Sequence, residues 1–147
     1  LVVGVARVEL ARYLDRTELV TRTAANEVTI QDFHAWAEPL ESSMTRAVAL
    51  GLEGKRGIRA AVPVPEAGDV QPDIVVLVDV LRFDGALGGQ VRLIARFYVL
   101  GEGGELGLPI SADLVADADG PEHAALVRAM AELVAQLAAR IGESLVN

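Results

Sequence analysis

The feature that most constrains the fold of this chain is a long amphipathic helical pattern near its C-terminal end. Large apolar side chains recur every three or four residues from Leu126 to Leu145. Charged residues lie largely on the opposite side, and Pro121 precedes the pattern, which predicts a helix over about 121–145. A helix with one apolar stripe must bury that stripe, so the rest of the chain has to supply a hydrophobic surface.

The middle of the chain is predicted to supply that surface as a β-sheet. Residues 74–83 form a nearly unbroken apolar run, which favours a central strand covered on both faces. Residues 90–100 and 106–115 alternate apolar and polar side chains, and short glycine-containing turns separate the three segments. Together they predict an antiparallel meander.

Shorter patterns complete the predicted fold. The remaining predicted elements are a strand over 1–10, a hairpin of 19–23 with 27–30, a helix over about 39–53 and a strand over 58–64. Pro39 fits the first turn of its helix, and Pro63 and Pro65 indicate a strand at a sheet edge. The length of 147 residues predicts one domain, 1–147. Its fold class is predicted as α+β: two layers, with an antiparallel or mixed sheet and two helices packed on one face.

Composition excludes several classes of function. The chain has no cysteine, which excludes disulfides and thiolate metal sites, and its net charge of −8 would repel nucleic acid. The sequence contains no run of 18 apolar residues, so it predicts no membrane-spanning helix. It also contains no signal-peptide pattern. Because the chain opens on a strand-like run at Leu1, we expect that an upstream piece has been removed.

No stretch of the sequence predicts a reaction centre. His34 lies near Asp32 and Glu38, which suits acid–base or metal chemistry, but no HExxH motif or cysteine accompanies it. The glycine-rich stretch at 101–107 lacks the Lys-Ser/Thr pair of a phosphate-binding loop and predicts a hairpin turn. We therefore expect no catalytic residue, no metal and no cofactor.

The residues best suited to contacts with a partner lie between positions 13 and 40. Tyrosine, tryptophan and arginine dominate the hot spots of protein interfaces, so Tyr13, Arg16, Arg22 and Trp36 are predicted to form one patch. The alternative interpretation is a core position for Trp36 and ordinary salt bridges for the two arginines. Three further residues share one face of the predicted sheet, which is either hydrated or an oligomer contact: Arg92, Arg96 and Tyr98.

Two blocks in this region resemble the PqiC-like family of ABC-type transport auxiliary lipoproteins. The first block, YLDRTELVTR, spans 13–22, and the second, WAEPL, spans 36–40. Thr17 stands where the family has proline, and the LRFD stretch at 81–84 is also similar. On these blocks the contact candidates are Tyr13, Asp15, Arg16, Arg22, Trp36 and Glu38.

The resemblance implies a periplasmic domain that a lipidated cysteine, expected in the removed upstream piece, anchors to the outer membrane of a Gram-negative bacterium. It implies a non-enzymatic, homo-oligomeric accessory of envelope lipid transport. The implied partners are an integral inner-membrane transporter subunit and an MCE-domain tunnel protein. Two alternatives stay open: a carrier of lipid or a small ligand, with an apolar cavity between sheet and helices, and a small hydrolase that uses His34.

Overall fold

The structure is a computed structural model that describes residues 1–16, 18–24, 27–35, 38–64, 68 and 70–146. In chain order the elements are β1 (Val2–Val5), β2 (Glu9–Leu10), β3 (Glu18–Ala24), β4 (Glu27–Ala35), α1 (Leu40–Leu52), β5 (Ala60–Pro63), β6 (Ile74–Gly85), β7 (Gln90–Leu100), β8 (Ile110–Asp117) and α2 (His123–Val146). One turn of 3₁₀ helix, Arg12–Leu14, follows β2. Within the described part of the chain, neither α-helix has the length and hydrophobicity that crossing a bilayer requires.

Six strands form one mixed sheet, which confirms the predicted α+β class. The strand order is β5-β1-β6-β7-β8, and β2 pairs with a later part of β6. Strand β1 runs parallel to both β5 and β6, whereas β6, β7 and β8 form the predicted antiparallel meander. Strands β3 and β4 form a separate antiparallel hairpin. The proline-containing strand β5 lies at a sheet edge, as predicted.

The predicted first strand, 1–10, is two strands in the structure. The Ala6 N–H still donates to the Val76 carbonyl at 2.9 Å, but the Val8 N–H turns away to the Thr45 hydroxyl of α1 at 3.0 Å. Pairing with β6 resumes at Glu9, opposite Asp79. A side chain of the neighbouring helix therefore satisfies the backbone group that interrupts the strand.

The two helices pack against each other and against the sheet around one core. Helix α1 lies over β1 and β5, and α2 lies over β7 and β8. The stripe of α2 is buried as its period predicts, with Leu126, Leu133, Leu137 and Ile141 fully inaccessible to solvent. They join a single hydrophobic cluster that includes Phe97 of β7. Both helix predictions are confirmed, to within two residues at each end.

Two strand predictions need correction. Strand β6 is central but covered on one face only: Val76, Val78 and Val80 are buried, whereas Leu81 is 45% exposed. The helices cover one side of the sheet, so the apolar run of β6 does not indicate a strand that is covered on both faces. The last strand begins at Ile110 rather than at residue 106.

The late start of β8 has a local cause in the register with β7. Ile110 pairs with Phe97, and further along the chain Leu106 pairs with Leu100 in an isolated bridge. Three residues, 107–109, therefore lie opposite two residues of β7, 98–99. The segment that leads into β8 thus contains one extra residue. Such a bulge reverses which face the preceding side chains point to, so the alternation read from Leu106 does not continue into β8.

Candidate functional site

The most concentrated polar arrangement in the described residues surrounds Asp84 near the end of β6. The Asp84 side chain is 0% exposed. Arg22 of β3 donates from Nε to Oδ1 at 2.6 Å and from Nη2 to Oδ2 at 2.9 Å. The Tyr13 hydroxyl donates to Oδ2 at 2.5 Å, and Arg82 approaches Oδ1 at 3.4 Å. We call Tyr13, Arg22, Arg82 and Asp84 the Asp84 cluster.

Tyr13 also completes the edge of strand β6. Strand β2 pairs with β6 only at Asp79 and Val80, so the backbone of β6 beyond that point lacks a strand neighbour on this side. The 3₁₀ turn brings the Tyr13 hydroxyl within 3.0 Å of the Phe83 N–H, which donates to it. The hydroxyl thus accepts from the backbone and donates to the buried carboxylate, which uses both of its hydrogen-bonding functions.

Arg22 connects the β3–β4 hairpin to the main sheet. The residue lies on β3, and its paired carboxylate is 62 positions later in the sequence. A bidentate arginine–carboxylate pair fixes distance and orientation together, because the two planar groups must align. Leu19 and Val20 of the same strand are buried, at 3% and 4% exposed. Apolar packing and one ion pair therefore hold the hairpin on the body.

The protonation states of the cluster follow from its contacts. Burial alone would raise the pKa of the Asp84 carboxyl, but hydrogen bonds from Arg22 and Tyr13 outweigh burial and hold it below its ordinary value. Burial and the hydrogen bond to Asp84 raise the pKa of Tyr13 to about 12. The hydrogen bond to Asp84 raises the pKa of Arg22. At neutral pH Tyr13, Arg22 and Asp84 therefore meet as a phenol, a guanidinium and a carboxylate.

Three further contact candidates, Asp15, Arg16 and Glu38, lie outside this cluster. The Arg16 Nε donates to the Tyr13 carbonyl at 3.1 Å, so Arg16 packs beside the cluster without touching Asp84. Asp15 is exposed and, with Arg16, lines a small cavity that also borders the start of α1. Glu38 accepts from Arg46 at 2.6 and 3.1 Å in an exposed pair. The prediction for Trp36 lies outside the described residues.

The glycine-rich stretch at 101–107 and the surface carboxylate Asp113 have local structural roles. The glycine-rich stretch forms a turn, closed by the Gly104 N–H donating to the Gly101 carbonyl at 3.0 Å. Asp113 pairs with Arg92 across β7 and β8 at 2.8 Å, on the sheet surface. Among the described residues, no group of three or more His, Asp or Glu side chains could hold a metal ion. The side chain of His34 lies outside that part of the chain.

An apolar groove of about 350 Å³ lies between α1 and α2, and Phe83 of the sheet contributes to its lining. The helices touch at Gly51, where an added Cβ would lie 2.6 Å from the Cβ of Ala138. The expected apolar cavity between sheet and helices stays a prediction, and this groove is the nearest feature to it among the described residues. Its larger lining side chains are Leu40, Met44, Leu50, Phe83, Met130 and Val134.

The sequence predicted Tyr13 and Arg22 to lie in one patch but did not predict Asp84 as a site residue. Residues 84–89 were predicted as a turn, whereas β6 continues to Gly85. A signal was present, because LRFD at 81–84 was one of the stretches that carried the family resemblance. Periodicity could not identify the contact, since no pattern relates residues 62 to 71 positions apart.

Solved structures resemble this chain over nearly its whole length. A crystal structure described only as that of an uncharacterized protein has a TM-score of 0.86 at 20% identity, covering 98% of this chain and 91% of that one. XCC0632 from Xanthomonas campestris has a TM-score of 0.80 at 18% identity, covering 98% and 83%. The PelC dodecamer from Paraburkholderia phytofirmans has 0.54 at 14%, covering 92% and 84%. At these identities the likeness establishes the fold alone.

The sequence itself identifies the family. No curated protein sequence matches this chain significantly. Residues 1–142 match the family described as the ABC-type transport auxiliary lipoprotein component. The match includes every residue of the Asp84 cluster and both blocks on which the resemblance was based. The chain belongs to the family of ABC-type transport auxiliary lipoprotein components.

Proposed function

We propose that this protein is a non-enzymatic accessory lipoprotein of an ABC/MCE-type envelope lipid transport system, which docks to a periplasm-spanning MCE tunnel protein at the outer membrane. The observation that carries the proposal is that Tyr13 and Arg22 are engaged in contacts within the protein. Both groups bond to the buried Asp84 and fix the hairpin, which is a structural role. A rigid body with exposed apolar features suits a docking role.

The proposal includes a homo-oligomer and an inner-membrane transporter subunit as a second partner. An auxiliary component of a transporter acts beside transporter subunits, which is the basis for that partner. PelC from Paraburkholderia phytofirmans, whose structure resembles this one, is a dodecamer. Its assembly supports the proposal that this protein also forms a homo-oligomer. Exposed large aliphatic side chains, among them Leu106 and Leu108, also suit contacts between proteins.

Within this proposal the six contact candidates have two roles. Tyr13 and Arg22 hold the surface in place through Asp84. Asp15, Arg16, Glu38 and Trp36 contact the partner. Asp15 and Arg16 line a cavity at the start of α1, and Glu38 precedes that helix, so these three lie near one end of the molecule.

Binding to the purified cognate tunnel protein tests the docking surface. We expect Arg16→Glu to weaken binding about tenfold, which corresponds to ~1.4 kcal/mol, because it reverses a charge at the contact. Arg140→Glu is the matched control, since Arg140 is exposed on the later part of α2, which lies beside the end of α1 and not its start. A thermal melt accompanies each variant. Unchanged affinity of Arg16→Glu, or its unfolding, would contradict the assignment of Arg16 to the contact.

The membrane anchor has its own test. We propose that the natural chain carries a lipidated cysteine upstream of Leu1 and is held at the periplasmic face of the outer membrane. Density-gradient separation of the inner and outer membranes should place the full-length protein with the outer membrane. Replacement of the lipidated cysteine by serine should release it. Recovery with the inner membrane would reject the outer-membrane assignment without affecting docking.

A lipid or small-ligand carrier is the second candidate, favoured by the apolar groove between α1 and α2. Delipidated protein, incubated with envelope lipids and examined by native mass spectrometry, should retain one lipid per chain if it is a carrier. Ala131→Phe fills the groove from an exposed lining position and should abolish retention, whereas Glu132→Phe, exposed on a different face of the same helix, should not. Absence of bound lipid in the wild-type protein rejects the carrier.

A further inference from the structure

An exposed apolar segment leads into strand β8. Leu106, Leu108 and Ile110 are 59%, 89% and 40% exposed. Single exposed leucines are common on protein surfaces, but an 89% exposed leucine with two other exposed aliphatic side chains within two residues is less usual. By the register with β7, Leu106 and Ile110 belong to opposite faces of the sheet, and Leu108 lies in the bulge between them. We call residues 102–110 the β8 surface.

The β8 surface is acidic as well as apolar. Glu102 and Glu105 lie in the turn that precedes Leu106, and both are exposed. Neither makes an ion pair with another described residue. Carboxylates beside an apolar segment disfavour an anionic lipid surface and nucleic acid, since both are negatively charged. The chemistry of the β8 surface therefore fits a protein surface that carries positive charge.

A positively charged surface lies at the opposite edge of the same sheet. Lys55, Arg56 and Arg59 are exposed in the segment between α1 and β5. They make no ion pair with another described residue, and the exposed Glu53 beside them leaves a net positive charge. A short turn holds the segment, with the Ile58 N–H donating to the Lys55 carbonyl at 2.9 Å and Ile58 buried. We call residues 55–59 the β5 surface.

The two surfaces lie at the same end of the sheet, on its opposite edges. Leu106 pairs with Leu100, and Leu100 pairs with Val75, near the start of β6. Strand β5 runs parallel to β1, and β1 runs parallel to β6, so the segment that leads into β5 also lies at the end where β6 begins. The acidic turn before Leu106 and the basic segment before β5 therefore flank the same end of the sheet from opposite sides.

We propose that a second copy of this chain occupies the β8 surface with its β5 surface, in a head-to-tail contact. The pairing follows from opposite charge at the same end of the sheet, and Leu108 supplies the apolar centre. The contact is made by side chains, because Pro63 lacks an N–H and disfavours continuation of the strand ladder at β5. Each copy keeps one surface free for the next, so the contact closes as a ring or extends as a filament. This inference rests on the proposed homo-oligomer and identifies its interface.

Charge reversal tests the contact in the full-length protein by light scattering and native mass spectrometry. We expect Glu102→Arg with Glu105→Arg, or Arg56→Glu with Arg59→Glu, to weaken self-association at least tenfold, because like charges then meet. An equimolar mixture of the two variants should assemble again, with alternating subunits. Failure of the mixture to assemble, or wild-type assembly by either variant alone, would overturn the proposal. Arg128→Glu, on α2, is the control and should assemble normally.

Cysteine cross-linking provides a second test, because the chain contains no cysteine of its own. Leu108→Cys mixed with Arg59→Cys should give a disulfide-linked dimer on oxidation, whereas either variant alone should give none. Leu108→Ser should weaken assembly, and Leu50→Ser, at a site 73% exposed on α1, should not. A wild-type protein that stays monomeric at every concentration rejects this interface. Retained binding of that monomer to the tunnel protein would leave the docking function intact.

Discussion

At the scale of single residues, the Asp84 carboxylate is the buried charge on which the hairpin and the edge of β6 both depend. A desolvated carboxylate is stable only when its oxygens are fully hydrogen-bonded to partners of opposite charge or good donors. Arg22 and Tyr13 provide these contacts from segments that precede it by 62 and 71 residues. The family block that contains Tyr13 and Arg22 thus has a direct structural reason for its spacing.

Asp84→Asn should destabilise the protein by ~3–5 kcal/mol, because it leaves the partly buried Arg22 without its counter-charge. Urea unfolding followed by circular dichroism measures the change. Asp113→Asn is the matched control: its partner Arg92 stays hydrated, so the midpoint should hardly move. Equal effects of the two substitutions would show that the Asp84 pair contributes no more than a surface pair.

Tyr13 should make the protein sensitive to alkaline pH. Its folded pKa of about 12 exceeds the ordinary value of 10.0, so the folded state keeps a proton that the unfolded state loses. The stabilisation is complete below pH 10 and is lost as the pH rises toward 12, by up to ~2–3 kcal/mol. Tyr13→Phe should remove this loss between pH 10 and 12, and Tyr98→Phe should retain it. An unchanged profile in Tyr13→Phe would contradict the assignment.

At the scale of elements, the close contact between the two helices depends on a residue without a side chain. Gly51 of α1 faces Ala138 of α2, and their approach closes the apolar groove at that point. Gly142 of α2 lies farther from its neighbours, since an added Cβ would meet nothing nearer than 3.6 Å. Both glycines are helical, so the intrinsic preference for alanine is the same at each position.

The two glycines therefore predict effects of opposite sign. Gly51→Ala should destabilise the protein by ~1–3 kcal/mol, because the new methyl group forces the helices apart despite its better helix propensity. Gly142→Ala should stabilise it by ~0.5–1 kcal/mol, because the propensity gain meets no clash. Thermal melts of both variants measure this difference. Stabilisation by Gly51→Ala would show that α1 and α2 are not in close contact there.

At the scale of the whole molecule, the opposite edges of one sheet carry opposite charge. The β8 surface is acidic and apolar, and the β5 surface is basic, while the chain as a whole has a net charge of −8. An acidic protein would repel its own copies unless its few positive charges are concentrated at a contact. The location of Lys55, Arg56 and Arg59 at one edge provides that concentration.

Self-association should consequently weaken as salt is added. Raising NaCl from about 0.1 M to about 1 M shortens the Debye length from about 10 Å to about 3 Å, which screens the charges at the contact. Sedimentation velocity at both salt concentrations measures the assembled fraction. Glu102→Gln with Glu105→Gln is the control, expected to assemble weakly with little response to salt. Stronger wild-type assembly at high salt would assign the contact to its apolar side chains alone.

Periodicity predicted most of the secondary structure, and the exceptions share one cause. The stripe of α2, the α1 segment and the meander were recognisable because local spacing determines which face is apolar. The sheet's parallel half, the break in the first strand and the bulge before β8 depend on partners distant in sequence. Between β1 and β2 the Val8 N–H donates to the Thr45 hydroxyl of α1 and not to β6. Before β8, a register shift against β7 ends the alternation.

By itself, the sequence determined the fold class, the amphipathic helices, the sheet edge at Pro63 and the family resemblance, because these depend on residue type and local spacing. Only the tertiary structure decided what those residues do together. It placed Tyr13 and Arg22 on Asp84, formed an apolar groove between the two helices and set the two charged surfaces at one end of the sheet. The reason is that burial and pairing between distant segments are properties of the packed chain, and no local pattern encodes them.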